Sequence, residues 1–196
     1  MVIHAQRREA REEQQQAAYF RAGVLSEERE ETEQALKYYL EARAYPEAAA
    51  ALVKVGLPLI VAGRTMDLTQ WLVAIPDEII QDNPWLLFYR YISARFTGPP
   101  EILADLQRAR AIFQEQGEVR GSLLAMAYLL EATSLRTHKI IGPIQALLEQ
   151  GEALAQSGSA QPYPVERALL LSHLGFTSYL RGGVPLKSAW ACRQAY

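Results

Sequence analysis

Four prolines, each standing where a helical pattern is about to begin, constrain this chain more than any other feature. They lie in "YPEAAAAL" at Tyr45, "PPEILADL" at Pro99, "GPIQALLE" at Gly142 and "VPLKSAWA" at Val184. Proline suits the first position of a helix, because its missing N–H would have no partner there and its φ is already helical. Around these points apolar residues recur three and four apart without two-residue alternation, which predicts an all-α chain. The intervals between Pro46, Pro100, Pro143 and Pro185 are 54, 43 and 42 residues. Such near-regular spacing marks a repeat of helical hairpins, the second helix of each opening on proline. The longer first interval has room for an additional short helix, Arg64 to Ala74.

The individual helices follow from the apolar spacing. Residues 1–31 read as a polar, charge-mixed helix and linker with little apolar surface before Tyr19 and Phe20, and 32–196 as the repeat array. Ala35, Leu36, Tyr39 and Leu40 mark a helix over Thr32 to Arg43, and Ala49, Leu52, Val53, Leu57 and Ile60 its partner over Pro46 to Val61. Leu68, Trp71, Leu72 and Ile75 form the next stripe, and Trp85, Phe88, Ile92 and Phe96 another. Ile102, Leu106, Ala109 and Phe113 define a helix that Gly117 is expected to stop in a left-handed conformation. Leu123, Ala127, Leu130 and Ser134 mark one more, Ile140, Ile144, Leu147 and Leu154 the next. After the loop "QSGSAQPYP" a last hairpin is expected, Val165 to Leu180 and Pro185 to Tyr196.

Between two of these helices lies "IPDEIIQDNPWLLFY", residues 75 to 89, with two prolines and three acids. Ile75-Pro76 reads as a helix stop, since a residue before proline disfavours the α region. Asp77 and Glu78 suit the start of a brief helix holding Ile79 and Ile80. Asp82 or Asn83 then caps the following helix, with Pro84 at its first position. The segment is read as a joint between helices rather than an acidic site.

Composition narrows the function. With 49% hydrophobic and 21% charged residues over 196 positions, the chain can bury a core. A net charge of −2 gives no general attraction to phosphate backbones, so neither nucleic acid nor an anionic membrane is an expected partner. Glu9, Glu12 and Glu13 interleave with Arg7, Arg8 and Arg11, which argues for an exposed charge-balanced helix rather than a basic patch. A single cysteine, Cys192, forms no internal disulfide, and without a signal-peptide pattern this points to a reducing cytoplasm. His4, His138 and His173 lack metal-ligand spacing, and no nucleophile elbow or phosphate loop occurs, so no catalytic residue, cofactor or metal is expected.

The run "ALKYYLEARAYPEAAAALVKV" has a small-large pair in Ala35-Leu36, Tyr39 three residues on, Tyr45 at the turn, and Ala48 and Leu52 beyond it. It resembles a tetratricopeptide repeat, with Arg43 where that motif has a small residue. "HLGFTSYLRGGVPLKSAWACRQA" carries a second echo. The resemblance implies a right-handed solenoid of helical hairpins whose concave wall is formed by the first helices. On those expected helices Tyr89, Arg90, Tyr128 and Glu131 are the candidate polar lining for a partner or ligand.

Trp71-Leu72, Ile75-Pro76 and Asn83-Pro84-Trp85-Leu86-Leu87 also resemble the joint in the tetratricopeptide-like sensor region of MalT-like, LuxR-type transcriptional regulators. The likeness runs from about Thr32 to the end and is most specific from Leu68 to Phe113. It implies a cytoplasmic regulatory segment of a signalling ATPase, non-catalytic in itself, that binds a protein partner or a small-molecule inducer. Ending in "AWACRQAY", in mid-hairpin, the chain is expected to be a segment of a longer protein, whose nucleotide-binding and DNA-reading parts lie elsewhere. The alternative is a free-standing scaffold or adaptor that grips a peptide. An uncapped repeat end leaves an apolar face, which also invites homodimers.

Overall fold

The computed structural model describes residues 2–135 and 144–180. Among them every regular element is helical, with ten α-helices, one short 3-10 turn and no strand. Ile140, Pro143, His138, Cys192 and the helix expected from Pro185 to Tyr196 lie outside the described residues. The chain divides into two compact units, Met1–Phe96 and Thr97–Tyr196.

The first unit holds α1 (Val2–Glu28), α2 (Thr32–Glu41), α3 (Tyr45–Val61), α4 (Thr65–Ala74), α5 (Asp77–Asp82) and α6 (Pro84–Ala94). α1 packs on α2, and residues 9–15 are exposed as its polar sequence implies. α3 is central. It packs against α2, α4, α5 and α6, and the predicted stripe residues Ala49 and Leu52 are buried on it together with Ala48, Ala51 and Leu59. Leu68, Trp71, Leu72 and Ile75 are all buried, as their spacing predicts.

The joint forms as its residues dictate. α4 gives way at Ile75, whose ψ is 132°, and α5 follows with Asp77 and Glu78 in its first turn. The Asn83 side chain then accepts hydrogen bonds from the backbone N–H groups of Trp85 (3.0 Å) and Leu86 (3.3 Å), with Pro84 opening α6. These bonds satisfy donors that a helix start leaves without partners.

Four turns among the described residues close in one way. Glu30, Arg43, Gly63 and Gly117 take positive φ, of 63°, 55°, 72° and 66°. The next residue in each case donates its N–H to a carbonyl five positions back. These bonds join Glu31 to Ser26, Ala44 to Tyr39, Arg64 to Leu59 and Glu118 to Phe113, each 2.9 Å long. The pattern satisfies carbonyls at the helix end, and glycine is its natural occupant because a Cβ crowds the left-handed conformation. Gly117 therefore stops its helix as expected. Arg43, where a small residue was the norm of the motif, is held left-handed.

The second unit contains α7 (Ile102–Glu115), α8 (Val119–Leu135), α9 (Ile144–Gln156), a 3-10 turn (Gly158–Ala160) and α10 (Pro164–Leu180). Pro100 precedes α7 by one residue beyond its cap rather than opening the helix itself. α8 packs against α7, α9 and α10. It is accordingly buried almost all round from Gly121 to Ala127, where the sequence showed a single stripe. Leu106, Ala109 and Phe113 of α7 and Leu170, Leu171 and Leu174 of α10 complete the core.

Because a left-handed non-glycine residue costs about 1–2 kcal/mol and glycine returns part of that through a more flexible unfolded chain, Arg43→Gly is expected to stabilise the protein by roughly 0.5–1 kcal/mol. Urea unfolding followed by circular dichroism measures it. Unchanged or reduced stability shows that the Arg43 turn is unstrained.

Candidate functional site

The four residues expected to line a binding wall fall in different surroundings. Tyr89 is 1% exposed and belongs to the core. Its ring sits over Gly56 of α3, where an added Cβ would come 2.2 Å from the ring, and its hydroxyl donates to the Val53 carbonyl oxygen (3.0 Å). α6 is enclosed by α3, α4 and α5, so the buried arc is wider than the Trp85, Phe88, Ile92 and Phe96 stripe. Phe96 departs in the opposite sense. It lies past the end of α6, is 72% exposed, and carries the Arg95 guanidinium 4.4 Å from its ring centre. Arg90 reaches across to an ion pair with Asp77 of α5.

Tyr128 and Glu131 lie one turn apart on α8, in the second unit, beside His173 of α10. The Tyr128 and His173 rings are 6.2 Å apart at 43°. Burial lowers the His173 pKa from its ordinary value, and the Glu131 carboxylate opposes that shift. The expected four thus form two separate pairs, one in each unit.

A large concavity of the first unit involves none of them. It is an open groove of about 900 Å³ formed by α1, α2 and α4. Each helix presents residues three and four apart, which places them on one face. From α1 come Glu12, Gln15, Gln16 and Tyr19; from α2, Lys37, Leu40 and Glu41. α4 gives Asp67, Gln70, Trp71 and Ala74, and the turns add Arg43, Tyr45 and Arg64. Tyr19 stacks on Tyr38 at 6.3 Å, which ties α1 to α2. Trp71, 7% exposed, buries most of its ring in the core beneath the groove.

Three acids and three bases line this surface, so its charge is mixed rather than of one sign. Arg64 is committed: its Nη1 and Nη2 donate to the two Glu33 oxygens (2.8 and 2.9 Å), and its Nε to Asp67 (2.8 Å). These partners push its pKa upward, Glu33 foremost. Behind the groove, Glu27 accepts hydrogen bonds from Lys54 Nζ and the Tyr39 hydroxyl (2.8 Å). The bond from Lys54 is the main reason the Glu27 carboxyl titrates below its usual value.

Sequence reasoning missed this groove because it assigned α1 to a separate segment. The signal was present as a second, polar stripe at three- and four-residue spacing, from Glu12 to Tyr19 and again from Asp67 to Ala74. Among the described residues no group of three or more His, Cys, Asp or Glu side chains is placed to hold a metal ion. No described helix is long and apolar enough to cross a membrane.

The His173 environment has a measurable consequence. A histidine whose folded pKa lies below its unfolded value leaves the folded state binding fewer protons, so stability is full above about pH 6.5 and declines as pH falls below it. His173→Gln is expected to flatten that decline between pH 7.5 and 5.5 in urea unfolding of the whole chain. An identical pH slope in both proteins contradicts the assignment. No family model, no curated protein and no solved structure matches this chain.

Proposed function

We propose that this chain is a non-catalytic regulatory segment that binds an extended, polar stretch of a protein partner in the groove formed by α1, α2 and α4. The observation that carries this reading is the open groove of about 900 Å³ with polar side chains along three helices. Carboxamides both donate and accept, so Gln15, Gln16 and Gln70 match the alternating N–H and C=O groups of an extended backbone. Lys37 and Arg43 supply positive charge for an acidic side chain of the guest, while Arg64 is already held by Glu33 and Asp67. The interspersed acids Glu12, Glu41 and Asp67 disfavour a polyanion such as nucleic acid.

In this reading the hairpins belong to a right-handed tetratricopeptide-like solenoid working in the cytoplasm, as the sensor region of a LuxR-type transcriptional regulator. Its support is the resemblance carried by Trp71-Leu72, Ile75-Pro76 and Asn83-Pro84-Trp85. A free-standing adaptor would use the same groove in the same way, and the two differ in what the rest of the protein does with the bound partner.

Selection of a random peptide library on the immobilised whole chain tests the groove. Polar, acid-bearing sequences are expected to be enriched. Their affinity, measured by fluorescence anisotropy, is expected to fall at least about tenfold in a Lys37→Glu, Arg43→Glu double variant, the effect of losing charge-assisted contacts. Enriched peptides that bind the double variant as tightly as the parent, or no enrichment at all, contradict the proposal.

A further inference from the structure

The other face of α4 lines a second, smaller pocket that shares no residue with the groove. Its volume is about 330 Å³, at the small end of the range used by compact ligands. Leu72, Val73, Ile75, Ile80 and Ala94 supply apolar walls from α4, the joint and α6. Val73 is 81% exposed there, an aliphatic side chain left facing water at a concave surface. The hydroxyls in the lining are already engaged: Thr69 donates to the Thr65 carbonyl (2.9 Å) and Ser93 to that of Tyr89 (2.6 Å).

The polar anchor is Arg90, which meets Asp77 at this pocket. The two members of that ion pair differ in exposure. The Arg90 side chain is 24% exposed and fixed on α6, whereas Asp77 is 65% exposed and reaches it from α5. The pocket therefore already shows a carboxylate seated on a guanidinium beside an apolar wall, and that carboxylate stands mostly in solvent. Exposed ion pairs of this kind are weakly held, and a ligand carboxylate brought in by an apolar tail would compete for the same donors. A cationic ligand would meet Arg90 repulsively.

We propose that this pocket is a binding site for a small amphipathic monocarboxylate, its aliphatic chain on Leu72, Val73, Ile75, Ile80 and Ala94 and its carboxylate on Arg90 in place of Asp77. The site is independent of the peptide-binding groove and stands or falls apart from it. It also gives the residues of the joint, Ile75, Asp77 and Ile80, a role in recognition beyond linking two helices.

Isothermal titration calorimetry of the whole chain with sodium octanoate, below its micelle-forming concentration, is the test. Octanoate is expected to bind, octan-1-ol at least about tenfold more weakly, and octylammonium not at all, since a hydrogen bond to a charged group is worth roughly that factor. Arg90→Gln and Val73→Asp are each expected to weaken octanoate binding by at least about tenfold. Asp77→Asn, which removes the competing carboxylate, is expected to tighten it. Val73 and Asp77 are both exposed, so these two variants decide the matter if Arg90→Gln disturbs the fold. Absence of octanoate binding, equal binding of the three compounds, an affinity unchanged by Val73→Asp, or weaker binding by Asp77→Asn overturns the proposal.

Discussion

The first unit depends on the seating of Tyr89 over Gly56. An aromatic ring needs close approach to a helix surface, and α3 provides it by having no side chain at that point. The ring is then fully buried, while its polar tip is satisfied by the Val53 carbonyl (3.0 Å), so the large apolar area of a tyrosine is hidden without an unpaired hydroxyl. The same device joins α1 to α2. Tyr39, 2% exposed, lies over Gly23, where an added Cβ would stand 2.6 Å from the ring, and its hydroxyl donates to Glu27. Burial, followed by the neighbouring carboxylate, pushes the Tyr39 phenol up to about 12. With α6 fixed on α3 and α1 on α2, α4 is left with two faces open, one toward the groove and the other toward the Arg90 pocket.

This arrangement accounts for the chemistry offered at each face. The groove is lined by side chains that project from regular helices at three- and four-residue spacing, which suits an extended guest with repeating polar groups. The pocket is made where helical geometry is interrupted. A helix stop at Ile75, a brief α5 and an Asn83 cap turn the chain sharply enough to bring Asp77 against Arg90, 13 residues on. Proline and a capping side chain thus create a concavity that an uninterrupted helix would fill.

Much of the fold was legible in the sequence because helices announce themselves through apolar spacing and through their ends. Leu68, Trp71, Leu72 and Ile75 are buried as their spacing requires, Gly117 takes a positive φ, and Asn83 caps the helix that Pro84 opens. The failures have one physical origin: periodicity reports one face of a helix, whereas burial depends on how many neighbours surround it. Tyr89 was placed on a ligand wall because it lies on an expected first helix of a hairpin, yet α3 covers its ring. Phe96 continued the stripe in sequence but lies beyond the helix that would have carried it inward. The close approach at Gly56 left no trace in apolar patterning, since glycine adds nothing to a stripe, and the groove was hidden because α1 is too polar to signal its packing on α2.

The most direct test of this account is a double-mutant cycle between Gly56→Ala and Tyr89→Leu, read by urea unfolding. At an unconstrained position inside a helix Gly→Ala stabilises by about 0.5–1 kcal/mol. Here it is expected to destabilise by about 1–3 kcal/mol, because the new methyl group must displace the Tyr89 ring. In the Tyr89→Leu background that cost is expected to shrink by at least about 1 kcal/mol, the coupling of two residues in contact. A Gly56→Ala change that is neutral or stabilising on its own, or one whose cost is the same in both backgrounds, would contradict the claim that this contact holds the unit together.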